Sequence, residues 1–196
     1  MAMPLSRYWT AADVRAITRE DRPWPRYELI DGELIVTPAP RGAHQMAASE
    51  ILVLLHPYLE RFDVGFALLS PADLELRPGT ITQPDVFVVP TGSERWESEP
   101  QWSDIRSLLL AIEILSPGSL HADRVVKRDF YLANGVAEYW IVDLDALIIE
   151  RWTPMQETPE LCRDRIAWAP CNGEPLVIDL VALFARIGEK WRRMPK

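Results

Sequence analysis

The sequence predicts an α/β protein: a mixed β-sheet flanked by helices, with an N-terminal β-hairpin. Three observations carry this expectation. Asp31-Gly32 separates two alternating apolar runs, 27–30 and 33–36, and Asp-Gly in that setting is the strongest short-range hairpin signal. Residues 108–115 are apolar at every position but Glu113, as suits a central strand covered on both faces. Helix-like and strand-like patterns then alternate along the chain, the order from which a mixed sheet with packed helices is built.

Each element follows from local chemistry. Thr10 with Asp13 three residues on has capping-box spacing, giving a short helix to about Glu20 that the Pro-rich stretch 22–25 ends. After the hairpin, Pro38, Pro40 and Gly42 lead to a helix over 43–61. In it Ile51, Leu54, Leu55, Tyr58 and Leu59 form a core-facing stripe. Strands are expected over 64–69, 74–76 and 85–89, then the central strand over 108–115. A helix over 123–134 ends at Gly135, a usual C-terminal cap. Segments 138–143 and 147–152 read as a strand pair. A strand at 165–168 and a helix over 180–187, stopped by Gly188, close the chain. No repeat or linker divides the sequence, so 1–196 reads as a single domain. Residues 94–103, rich in Trp, Glu, Pro and Ser, read as a mobile loop.

Composition narrows the function. An apolar share of 48% builds a core without a structural metal or disulfide. No apolar run approaches the roughly 20 residues of a membrane span, and 1–9 lacks the features of a secretory signal. Cys162 and Cys171 read as reduced thiols of a cytoplasmic protein. A net charge of −8 argues against binding nucleic acid through overall electrostatics. It does not exclude a nuclease, because a metal site is itself built of carboxylates.

The chemistry lies in a few polar residues set in apolar surroundings. Asp85 stands at the mouth of one strand and Glu113 inside another. A buried carboxylate needs a partner, either a salt bridge or a cation. Two carboxylates on neighbouring strands suit one hard divalent ion, with waters and the backbone carbonyl of Ile114 completing the shell. Such an ion polarises a phosphoryl oxygen and lowers the pKa of bound water, and a nearby lysine neutralises developing charge. Lys127 is the candidate. Asp123, Lys127 and Tyr131 recur every four residues and share one helical face, where the alternative for Lys127 is an exposed ion pair with Asp123. Ser116 and His121 do not suggest a serine hydrolase, since no Gly-x-Ser-x-Gly elbow is present. His56 lacks metal-ligand spacing to any neighbour, and no phosphate-binding glycine loop occurs. Most of the eight tryptophans read as core or dimer contacts, Trp140 among the core; Trp96 and Trp102 lie in the loop region and Trp191 in the basic tail, where an exposed aromatic can stack on a base.

These residues fall in six ordered segments. They are Tyr27-Glu28-Leu29-Ile30-Asp31-Gly32-Glu33; His44-Gln45; Gln83-Pro84-Asp85-Val86; Glu113-Ile114-Leu115-Ser116-Pro117; Asp123 to Lys127; and Gly135-Val136-Ala137-Glu138-Tyr139-Trp140-Ile141-Val142-Asp143. Together they resemble the PD-(D/E)XK nuclease superfamily and, within it, the bacterial Uma family of restriction endonucleases. The resemblance runs from about Tyr27 to Trp152. It implies a restriction-endonuclease-like fold and an endonuclease that hydrolyses DNA phosphodiester bonds with Mg²⁺ or Mn²⁺ held by Asp85 and Glu113. It also implies a homodimer. The superfamily's lysine usually stands two residues after the second acid, where this chain has Leu115. In the family that lysine has moved to the following helix, and Lys127 fits the new place. The resemblance puts His44 near the site as a phosphate or water contact; a local hydrogen bond is the alternative. Of the hairpin acids Glu28 and Glu33, which flank the turn with the same parity, Glu33 is favoured. The competing readings are a catalytically silent dimeric relative serving as a binding or scaffolding module, and a metal-dependent hydrolase of a non-nucleic phosphodiester.

Overall fold

The computed structural model describes residues 8–18, 24–92 and 101–193. Helix α1 (Ala11–Ile17) opens with the expected capping box. Thr10 Oγ1 accepts from the Asp13 amide at 3.2 Å, and the Asp13 carboxylate accepts from the Thr10 amide at 2.9 Å. The helix stops at Ile17, because Thr18 is already extended; Glu20 and 22–23 lie outside the described residues. Strands β1 (Arg26–Ile30) and β2 (Glu33–Thr37) pair as the expected hairpin. Asp31 and Gly32, at φ 51° and 80°, supply the two left-handed residues that a two-residue turn of this kind requires.

Helix α2 (Gly42–Phe62) buries Ala47, Ile51, Leu55, Tyr58 and Leu59 against a six-stranded sheet. The sheet contains β3 (Gly65–Leu69), β4 (Val86–Pro90), β5 (Leu110–Ile114), β6 (Glu138–Asp143), β7 (Ile148–Trp152) and β8 (Glu160–Cys162), in that spatial order. Neighbours are antiparallel except β5 and β6, which run parallel. A parallel pair needs a crossover. Here it is a π-helical turn (Ala122–Lys127) running into α3 (Arg128–Ala133), with Gly135 at φ 80° ending it. All five residues of β5 are buried. Leu110, Ile112 and Ile114 point to the side of α2 and α4 (Leu180–Arg192), while Ala111 points to Phe87, Tyr131 and Tyr139 on the other side. By this alternation Glu113 shares the side of Ala111 and α3.

Four differences from expectation have local causes. Residues 74–76 form no strand; Leu74 makes a single bridge to Thr82 before the chain bends away. Strand β8 spans only three residues, too few for a periodic signal, and β10 (Leu176–Asp179), paired with β9 (Arg165–Trp168), buries only Ile178 and so shows no alternation of its own. Helix α4 continues through Gly188 to Arg192. A mid-helix glycine costs about 1 kcal/mol, and the turn beyond it is held to α2 by the ion pair of Lys190 with Glu50. The 94–103 loop lies outside the described residues except for a 3₁₀ turn, Trp102–Asp104, that ends it. Trp96 lies outside as well. Cys162 and Cys171 are free thiols, and no described helix is long and apolar enough to cross a membrane.

Candidate active site

The register of β4 against β5 builds the core of the site. Val86 stands opposite Ile112, so the next step along both strands sets Asp85 beside Glu113. The backbone amide of Ile114 donates to Asp85 Oδ2 at 2.9 Å, which ties the acid at the mouth of β4 to the end of β5. The crossover then returns over this side of the sheet. On its π-helical first turn Asp123 and Lys127, four residues apart, share the inward face and are 1% and 3% exposed. The expected alternative, an exposed Asp123–Lys127 pair, is therefore replaced by a buried one.

Lys127 Nζ lies 2.8 Å from Glu28 Oε2, 3.1 Å from Glu113 Oε1 and 3.4 Å from Asp123 Oδ1. Of these three acids, Glu113 accepts a hydrogen bond from the ammonium, whereas Asp123 Oδ1 lies within ion-pair distance only. Tyr131 Oη also donates to Glu113 Oε1, at 3.3 Å. Glu28 Oε1 accepts from the Gln83 amide at 2.8 Å. His44, in the first turn of α2, places Nε2 2.9 Å from Asp85 Oδ2. Arg26 Nη1 reaches Asp85 Oδ1 at 3.5 Å. One cavity is lined by all of these residues except Tyr131, together with Ile114, Ser116, Ser119 and Thr37.

The electrostatics follow from burial. Burial raises the Glu28, Glu113 and Asp123 carboxyls above their ordinary range, Glu113 furthest, and the charge of Lys127 offsets only part of it. For Asp85 burial acts in the same sense, but the hydrogen bond and charge of His44, with help from Lys127 and the Ile114 amide, bring it below its ordinary value. Burial alone would lower Lys127; the charges of Glu113, Glu28 and Asp123 instead hold it well above the usual ammonium range.

Asp85, Glu113, Lys127, His44 and Ile114 thus meet in one place. Glu33 does not. It is exposed and absent from the cavity, and the hairpin acid that enters is Glu28. Both acids lie on the same face, since Glu28 pairs with Ile35 and Ile30 with Glu33. Glu33, however, sits two residues nearer the turn, roughly 7 Å along the strand. Sequence reasoning missed Arg26 altogether. Its only signal was its parity with Glu28 two residues on, in a segment whose prolines drew attention elsewhere.

The donors in the cavity are carboxylate oxygens, which suit a hard divalent cation bound through one or two carboxylates and waters. Asp123 Oδ1 is buried and accepts no hydrogen bond among the described residues, a further sign of more negative charge than local donors satisfy. Asp85 and Glu113 fit such an ion. No group of three His, Cys, Asp or Glu side chains with metal-holding geometry occurs among the described residues.

Residues 11–175 match the model of the Uma2 family, described as "Putative restriction endonuclease". The fold is similar to that of a crystal structure from Anabaena variabilis ATCC 29413, described as a "putative nuclease belonging to DUF820", with a TM-score of 0.73 and 22% identity. The match covers 91% of this chain and 99% of that one. No curated protein matches the sequence.

Proposed function

Because the chain belongs to the Uma2 family of restriction-endonuclease-like nucleases, we propose that it is a Mg²⁺- or Mn²⁺-dependent endonuclease that hydrolyses DNA phosphodiester bonds. The observation that carries this reading is the meeting of Asp85, Glu113 and Lys127 in one buried polar cavity between an apolar sheet and the crossover. Asp85 and Glu113 would hold the cation, with the Ile114 carbonyl as a further ligand. When bound, such an ion would supply Lewis-acid polarisation of a phosphoryl oxygen and lower the pKa of a coordinated water. Lys127 neutralises charge that builds on the phosphoryl group. Its contact to Asp123, at 3.4 Å, is the longest of its three, so it is the one released when a phosphate oxygen arrives. Glu28 and Glu113 then keep the ammonium in place. His44 orients Asp85 and lies where a phosphate or water contact is expected.

Calorimetric titration of Mg²⁺ and Mn²⁺ into wild type and Glu113→Gln, followed by plasmid cleavage, tests the reading. Metal binding that survives Glu113→Gln unchanged would mean the site is misassigned. Homodimerisation, a cytoplasmic location and a single-domain organisation over 1–196 belong to the same proposal. Sedimentation and a single cooperative melt check the first and last.

A second reading, a silent dimeric binding or scaffolding module, draws on one specific observation. Lys127 already lies within ion-pair distance of three carboxylates, as in a purely structural ion cluster. Wild type that cleaves no DNA with any divalent ion would select it.

A further inference from the structure

Arg26 has no part in the scheme above, yet it is only 7% exposed and lines the same cavity as Asp85, His44 and Lys127. A guanidinium carries five N–H donors. The contacts of this one are sparse: Nη1 lies 3.5 Å from Asp85 Oδ1, at the limit of a hydrogen bond, and buried Nε has no hydrogen-bond partner among the described residues. Asp85 is already served by His44 and the Ile114 amide, both at 2.9 Å. The three other acids share Lys127. Among the described residues the fork is thus hydrogen-bonded through one long contact, with Nε left without a partner, although the cavity holds four carboxylates. The guanidinium also lies over the Trp24 ring, with its carbon 4.2 Å from the centroid. That stacking fixes the plane of the fork.

A rigid, buried, under-used fork beside a carboxylate pair is suited to a tetrahedral anion with two free oxygens. We propose that Arg26 is a phosphate clamp that grips the non-bridging oxygens of the DNA phosphodiester in two-point fashion. Lys127 is then left to meet charge at the reacting centre. This rests on the phosphodiester reading of the site and adds to it the group that binds the substrate.

The test uses the full chain as wild type, Arg26→Gln and Arg26→Lys, with circular dichroism as the check on folding. Binding to a labelled DNA duplex is followed by fluorescence anisotropy over a range of salt, with Ca²⁺ in place of Mg²⁺. Binding of inorganic phosphate is followed by thermal shift. Arg26→Gln should weaken both ligands roughly 10- to 100-fold, the scale of one lost charge-assisted pair. It should also flatten the salt dependence of DNA binding by about 0.9, one phosphate contact. Arg26→Lys should recover the salt dependence but not the phosphate affinity, since a point charge replaces the fork. If Arg26→Gln fails to fold, Arg26→Lys alone decides. Folded variants that bind DNA and phosphate as wild type does would overturn the clamp while leaving the nuclease reading intact. Arg26-dependent phosphate binding without DNA binding would support the clamp and remove DNA as the substrate. Wild type that binds neither ligand overturns both.

Discussion

Lys127 lies closer to Glu28 of the hairpin, at 2.8 Å, than to Glu113 of the central strand, at 3.1 Å. The lysine therefore joins two parts of the molecule that no β-ladder connects, and its position depends on both. Glu28→Gln should leave the sheet intact but loosen the ammonium. Cleavage should fall roughly 10-fold or more, with less change in metal affinity than Glu113→Gln causes. Equal losses of metal binding in the two variants would show that Glu28 is itself a ligand.

Lys127→Met should lower cleavage by about 10²-fold or more, the scale of a lost electrostatic donor. It should also destabilise the fold by roughly 3–5 kcal/mol, because the change strands buried carboxylates without their cation. Chemical denaturation at two pH values separates the effects. At lower pH the acids take up protons, and the stability loss should shrink while the activity loss remains.

The pH dependence of the metal-free protein follows from the acids. The folded pKa values of Glu28, Glu113 and Asp123 are raised above their ordinary values of 4.5, 4.5 and 3.8. In that window the folded state binds more protons than the unfolded state, so their contribution is present below the ordinary values and is lost as pH rises through the folded ones. Asp85, lowered from 3.8, acts oppositely and only at the acid end. Lys127, raised from 10.5, acts only in strong alkali. The melting temperature in chelator should therefore fall as pH rises from about 4.5 toward neutrality, and Mn²⁺ should flatten that slope. A melting temperature that rises over this range in chelator would contradict the assigned burial of the acids.

Arg124 anchors the crossover from outside. Its guanidinium bonds Glu150 Oε1 at 2.6 Å and Asp143 Oδ2 at 3.1 Å, with Glu150 itself only 6% exposed. Arg124→Ala should cost about 1–2 kcal/mol, less than a fully buried pair because the arginine is partly solvated. It should lower kcat more than metal affinity, since Lys127 rides on the same turn. Guanidinium denaturation and single-turnover cleavage measure the two effects.

The residues legible in the sequence were the costly ones. Asp85 and Glu113 stood out because apolar neighbours made a charge there expensive, and Asp123 and Lys127 because their spacing put them on one face. The hairpin, α2 and β5 were legible for the same reason: their patterns are long and regular. Glu28 could not be separated from Glu33, because a two-residue turn gives both the same face, and the packing of distant segments decides which end enters the cavity. The π-helical turn left no trace either, since a four-residue spacing fits an ordinary helix equally well. Arg26 stayed hidden because a lone arginine beside prolines is unremarkable until Asp85 is placed next to it.

The hairpin belongs to a sheet of its own, and among the described residues its backbone is linked to the rest by the isolated bridge from Leu29 to Ile81 and by the Trp9 amide, which donates to the Gly32 carbonyl at 3.1 Å. β5, by contrast, is laddered on both sides by β4 and β6. In amide hydrogen exchange the two should behave as separate opening units, with the hairpin opening at lower free energy than the central strand. The cavity is complete only while both are closed. Substitutions under the hairpin, such as Leu29→Ala or Val14→Ala, should therefore speed exchange of hairpin amides and reduce the fraction of molecules with an assembled cavity, while protection of Ala111 to Ile114 stays unchanged.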